Sequence, residues 1–325
     1  IKSLYALLCG RTPAPGTDAE KYDAARTACD PLPTLLRAHG YRTGLFHSGR
    51  FVYLGMRHLV DGRGFDVLHD AATIGGRHAV SFGTDDASTV DRLLAWIDED
   101  QSRPFFALYM PIAGHHPYRS PGAGTRPFPA ASEFDHYRND LHVGDEALGR
   151  LIDGLAARGR LGDVLWIVQG DHGEAFRQHP GNIAHSLFVW EENVHVPLVL
   201  APPPDLAPQT TLRAPQIAGA VDVAPTLLAL LGLPAPDAWD GRSLLAPAPG
   251  VARFFSDHVS VLFGLRTGRY KCIVEPARDR VQLFDLGADP GEAVDLAAAL
   301  PERAAACAAD LTAWARRARA RLEGP

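Results

Sequence analysis

The chain has 325 residues, 46% hydrophobic and 22% charged, with a formal net charge of -6. That balance supports a large buried core and excludes disordered and fibrous classes. It also provides no basic field for phosphate backbones or anionic lipid, so nucleic acid is not expected as a partner, and any anionic substrate must be held locally by a metal or a few side chains.

The chain enters a helical pattern at once (Leu4, Leu7, Leu8) without a leading methionine, and is expected to lack upstream sequence in which a leader or membrane anchor would lie. No run is apolar and long enough to span a bilayer. Cys9 and Cys29 flank a polar loop, Gly10 to Ala28; a disulfide and two free thiols are both open readings. Cys272 and Cys307 read as buried small residues.

Apolar runs bounded by turn residues then alternate with helical periodicity, which predicts strands crossed by helices in a mostly parallel sheet. Strands are expected near Thr43–His47, Phe105–Met110, Val164–Gln169 and Val196–Leu200, and helices over Asp86–Ile97 and Asp135–Arg158. The second helix has Leu141, Leu148, Leu151, Ile152 and Leu155 along one face. A Pro-rich segment, 201–215, leads to a short helix within Val221–Gly232, with proline in its first turn and glycine past its last apolar residue. Beyond residue 250 short alternating strands (252–257, 261–266, 270–275, 282–285) and an Ala/Arg-rich helix predict a small antiparallel subdomain, dividing the chain into domains of residues 1–250 and 251–325.

The run Val164-Leu165-Trp166-Ile167-Val168-Gln169 ends in Gly170-Asp171-His172-Gly173-Glu174. Ligands bind outside the carboxyl ends of strands in open α/β sheets. Successive strand residues face opposite ways, so Asp171 and His172 reach one ion only if the backbone leaves strand geometry, which the two glycines permit. Their oxygen and nitrogen donors suit one divalent ion, with Glu174 as an outer partner. A second apolar strand ends in Gly114-His115-His116-Pro117-Tyr118; His115 suits contact with substrate oxygens or proton transfer. His116, before proline, is expected to fix the loop and to flank the substrate. His185 stands thirteen residues after His172, beyond a Gly/Pro loop able to fold it back. The histidines at 39, 58, 69, 78, 136, 142 and 258 read as solvated or structural.

Together with Glu191–Pro197, Val221–Gly232 and Leu283-Phe284-Asp285-Leu286 followed by Asp289-Pro290 and Glu292, these motifs resemble the sulfatase-like branch of the alkaline-phosphatase superfamily, which includes sulfatases and phosphoglycerol or phosphoethanolamine transferases. The resemblance covers nearly the whole chain. It implies an alkaline-phosphatase-like α/β fold and a metal-dependent ester-cleaving enzyme using one divalent ion (Mn, Zn or Ca). Asp171 and His172 would bind the metal, His185 would lie over the leaving group, and His115 would touch substrate oxygens. Leu7-Leu8-Cys9-Gly10 matches the helix end that follows the family's nucleophile, which would then fall immediately before Ile1. A nucleophile there would lie at the positive end of the helix dipole, with Lys2 one turn away as a cation.

Two departures shape the expectation. Lys2 and Leu4 stand where formylglycine sulfatases carry proline and arginine, which favours a Thr or Ser nucleophile and phosphate esters or transfer chemistry. Arg50, in Phe46-His47-Ser48-Gly49-Arg50, would replace a lysine of arylsulfatases as a substrate contact, its guanidinium matching sulfate or phosphate oxygens. The expected substrate is a small anionic ester or a glycan- or lipid-linked one, in a periplasmic or other extracytoplasmic compartment. Alternatives are a membrane-anchored phosphoglycerol or phosphoethanolamine transferase and a noncatalytic protein of the same fold.

Overall fold

Helix α1 (Lys2–Cys9) buries Leu4, Tyr5, Ala6, Leu8 and Cys9, the face its apolar spacing predicts. It ends at Gly10, where φ is 56° and a Cβ would stand 2.4 Å from the Trp239 indole, so both backbone and space require glycine. This is a computed structural model, describing residues 1–16, 19–80, 82–121, 125–206, 217–246 and 249–323. The chain divides into two compact units, one of residues 22–25 and 30–164, the other of residues 1–21, 26–29 and 165–325.

The first unit contains α2 (Leu32–Ala38), β1 (Arg42–His47), α3 (Met56–Val60), β2 (Val67–His69), α4 (Ala71–Ile74), α5 (Asp86–Glu99), β3 (Phe105–Met110) and α6 (Glu133–Ala157). Strand β1 is central and buried throughout, pairing in parallel with β2 and β3. Both of its faces are covered, which buries Leu45 and Phe46 together with the polar Arg42, Thr43 and His47. Helix α6 is capped by the Ser132 hydroxyl, which accepts from the Asp135 amide at 3.1 Å. Its buried stripe is Asn139, Asp140, Val143, Ala147, Leu151 and Leu155. Leu141, expected on that face, is 45% exposed. The stripe instead passes through Asp140, a carboxylate that faces inward because it binds loop amides.

The second unit holds α1 and, after residue 164, β4 (Trp166–Gln169), β5 (Ala175–Phe176), β6 (Ile183–Ala184), α7 (Glu191–Val194), β7 (Leu198–Ala201), α8 (Val223–Leu230), β8 (Val251–Ser256), β9 (Leu262–Thr267), β10 (Tyr270–Glu275), β11 (Arg280–Asp285) and α9 (Pro301–Glu323). Strands β4 and β7 pair antiparallel. This departs from the parallel order expected of them, since the segment between them is a returning excursion with a single helical turn rather than a crossover helix. Strands β11-β10-β9-β8 form an antiparallel sheet with α9 against it, as the alternating pattern predicts. Residues 207–216 of the Pro-rich segment lie outside the described residues.

Both cysteine pairs are bonded, Cys9 to Cys29 and Cys272 to Cys307. The second pair corrects the expectation of isolated buried thiols: β10 and α9 bring the two sulfurs into one cluster with Leu265, Leu283, Leu311 and Trp314. Among the described residues no helix is long and apolar enough to cross a membrane.

Candidate active site

The backbone turns out of β4 at Gly170 and runs past α7, where the Gly173 amide donates to the Asn193 carbonyl at 2.8 Å. A Cβ on Gly173 would lie 2.1 Å from the Glu192 carbonyl oxygen. Close approach, rather than a left-handed backbone, thus excludes other residues here. The turn brings Asp171 Oδ2 to 3.5 Å from His172 Nε2, while Asp171 Oδ1 accepts from the His172 amide at 3.0 Å. Two donors about 2.1 Å from one ion stand about 3.0–3.4 Å apart, so the pair fits a shared cation with almost no adjustment. His172 Nδ1 lies 2.9 Å from the Gly173 carbonyl, a contact that requires the proton on Nδ1. Nε2 then turns its lone pair toward the carboxylate, an arrangement satisfied by a metal ion or a proton.

The short hairpin of β5 and β6 positions the next two groups. Ala175 pairs with Ala184, so Glu174 and His185 stand opposite each other one step beyond the register. Glu174 Oε2 accepts from His185 Nδ1 at 2.8 Å, and the Glu174 side chain is only 6% exposed. The His185 ring stacks on His172 with centroids 4.0 Å apart. His172, Glu174 and His185 each offer a ligand atom within 4.8 Å of the others. Sequence separation suggested that His185 folds back; strand register explains how.

The loop between these strands is anchored on α7. Asn182 donates to Glu192 and to Asn193, both at 2.7 Å, and His179 Nδ1 lies 2.8 Å from Glu192. Next to it, the fully buried Lys271 ammonium of β10 lies 2.9 Å from Glu191 and 2.8 Å from Glu292. Glu292 also accepts from the Glu191 amide at 2.7 Å. Burial raises the Glu292 pKa, and the Lys271 charge opposes that rise.

Helix α1 begins at the same strand end, for Ser3 Oγ donates to the Asp171 carbonyl at 2.7 Å. Lys2, expected to face substrate oxygens, is paired with Asp257 and lies 5.1 Å above the Phe255 ring. No sequence signal distinguishes Asp257 from any other strand-end aspartate.

Arg50, His115 and His116 belong to the other unit. Arg50 is half-buried and lies three residues beyond the end of β1. The loop after β3 hangs on two buried carboxylates that sequence reasoning missed. Asp86 accepts from the Ile112 and Ala113 amides, both at 3.0 Å. Asp140 accepts from the Gly114 amide at 2.8 Å and the Ser120 amide at 2.7 Å. Burial raises the Asp86 pKa, against hydrogen bonds from Ser48 and these amides. His115 Nδ1 lies 2.7 Å from the His116 carbonyl, which fixes its tautomer, and its ring stacks on Phe82 at 4.3 Å. His116 is exposed, precedes a cis peptide bond to Pro117 and packs edge-on against Tyr118. Asp140 did carry a signal, being in phase with the Val143-Ala147-Leu151 stripe.

A sequence profile described as Sulfatase matches residues 1–233, and one described as N-sulphoglucosamine sulphohydrolase, C-terminal, matches residues 184–311. Arylsulfatase K of Bos taurus is 24% identical over 82% of this chain and 64% of its own length. The chain therefore spans less than two thirds of that relative. Among solved structures, the lipoteichoic acid synthase LtaP from Listeria monocytogenes superposes with a TM-score of 0.76 at 16% identity, covering 99% of this chain and 80% of that one. A 2-O GAG sulfatase gives 0.71 at 17% identity, covering 98% and 82%. These structures share the alkaline-phosphatase-like α/β fold, and because the family profile covers well over half of its length, the chain belongs to the sulfatase family.

Proposed function

We propose that this chain carries most of a metal-dependent hydrolase of sulfate or phosphate esters. The observation that carries the reading is the convergence of Asp171 Oδ2 and His172 Nε2 to 3.5 Å, with His172 Nδ1 held on the Gly173 carbonyl. A divalent ion held by these two groups supplies positive charge for the nucleophile and the ester oxygens. By the family resemblance the nucleophile would precede Ile1, where the α1 N-terminus would favour an anion. Its oxygen would form the new bond to sulfur or phosphorus as the ester oxygen departs.

His185 would give the departing oxygen a proton from Nε2, because Nδ1 is committed to Glu174. His115 would donate to an ester oxygen when protonated, with His116 and Arg50 flanking the bound anion. Lys2 would contribute its charge from within the Asp257 pair. Two disulfides favour an oxidising, extracytoplasmic compartment. The likeness to the arylsulfatases supports sulfate esters, and that to the 2-O GAG sulfatase supports esters carried on glycans. Lys2 and Leu4, together with the LtaP likeness, support the second reading, a phosphoglycerol or phosphoethanolamine transferase.

The test is calorimetric titration of the full-length protein with Mn, Zn and Ca, beside turnover of 4-nitrophenyl sulfate and 4-nitrophenyl phosphate. Asp171→Ala should abolish both stoichiometric metal binding and turnover. Unchanged metal affinity in that variant would overturn the metal assignment. Product release only when a polyol acceptor is present would select the transferase.

A further inference from the structure

Immediately after Arg50 the first unit presents Val52, Tyr53 and Leu54 to solvent, at 80%, 47% and 66% exposure. Three consecutive large apolar side chains on the surface are unfavourable unless something covers them. The tip is held in place: Phe51 is buried, its amide donates to Asp70 at 2.9 Å, and its ring stacks on His47 at 5.9 Å. Leu54 has φ of 49°, a conformation that disfavours leucine and is found where a fold holds a segment for use. Tyr53 meets Phe82 edge to face at 5.0 Å. Phe82 in turn stacks on His115, and Tyr53 is itself 6.4 Å from that imidazole.

Exposed apolar surface, backbone strain and an aromatic stack running to His115 thus occur together. We propose that Tyr53, Phe82 and Leu54 form a subsite for the ring carried by the substrate's leaving group, an aryl or pyranose ring whose apolar face packs there while the anionic head meets His115. This rests on the reading of His115 as a contact for ester oxygens. The flat aromatic walls of Tyr53 and Phe82 suit a ring.

The test uses sulfonates, whose carbon–sulfur bond the proposed ester hydrolysis does not cleave, and the matching phosphonates, so binding is read without turnover. Methanesulfonate, benzenesulfonate and 6-deoxy-6-sulfoglucose share a head group and differ in the ring, as do methylphosphonate and phenylphosphonate. With the full-length, metal-loaded protein, ring-bearing ligands should bind more tightly than the methyl compounds. Tyr53→Ala should weaken ring-bearing ligands about five- to tenfold and leave the methyl compounds unchanged. Leu54→Gly, which relieves the positive φ and so keeps the fold, should shift affinity in the same direction. Loss confined to benzenesulfonate and phenylphosphonate identifies an aryl group; loss confined to the sulfoglucose identifies a sugar. Equal affinity of ring and methyl ligands, or an unchanged ratio in both variants, overturns the subsite. Failure of every head group to bind the wild-type protein overturns the ester-site reading and the subsite with it.

Discussion

Replacing Glu174 by glutamine removes one charge and almost no volume, so it isolates what the carboxylate does for His185. The carboxylate accepts from His185 Nδ1 at 2.8 Å with only 6% of its side chain exposed, so solvent screens the pair little. A hydrogen bond to a charged acceptor is worth about 1.5–3 kcal/mol and a neutral one about 1 kcal/mol. The glutamine keeps an acceptor oxygen, so the difference is about 1–2 kcal/mol, or roughly five- to thirtyfold in rate. Steady-state kinetics of the full-length enzyme should show the loss in kcat, with KM and the thermal midpoint nearly unchanged. A thirtyfold fall in KM affinity with kcat intact would mean that Glu174 shapes the binding pocket, and an unchanged kcat would refute the orienting role altogether.

Lys271→Met leaves the Glu191 and Glu292 carboxylates without their ammonium, and should cost about 3–5 kcal/mol in denaturant unfolding. Because burial already raises the Glu292 pKa, the folded state of the variant favours the protonated acid. Its deficit should therefore be smallest at low pH and grow as pH rises through the folded value. Asp140→Ala removes the acceptor for the Gly114 and Ser120 amides, and should raise hydrogen exchange at both with a stability loss of about 1–3 kcal/mol for each amide left unsatisfied. Burial lowers the His47 pKa below 6.5, so the folded state prefers the neutral ring. That stability is complete above 6.5 and is lost as pH falls toward the depressed value; unfolding of His47→Gln should show a flatter pH dependence over that window.

The elements were legible because their patterns have a single reading. Strand β3 (Phe105–Met110) and β10 (Tyr270–Glu275) occur where the sequence predicts them, since an apolar run cut off by Pro111 and an alternating run between turns admit few alternatives. Helix α6 was legible in extent but not in facing, because counting leucines cannot foresee that Asp140 displaces Leu141 from the buried side. The antiparallel pairing of β4 and β7 was hidden for a similar reason. Parallel and antiparallel strands share a periodicity, and only the path between them decides. Cys272 and Cys307 are 35 residues apart, and their bond depends on where α9 lands.

Asp171 and His172 were legible as a pair because adjacent residues at a strand end have few places to go. Glu174 and His185 were legible as candidates near that pair, but not the hairpin register that joins them, and the β10 lysine that holds Glu191 was not legible at all. This distribution has a physical logic. A metal ligand needs only the right donor at the right distance, and two neighbours in sequence meet that condition with one turn of backbone. Holding an imidazole to within a few tenths of an ångström requires groups whose own positions are fixed by packing. Glu174 meets that requirement through β5, and α7 through the buried Lys271 and Glu292. The four-stranded sheet following residue 250 is thus more than an appendage, because through Lys271 it fixes the helix that anchors the His185 loop.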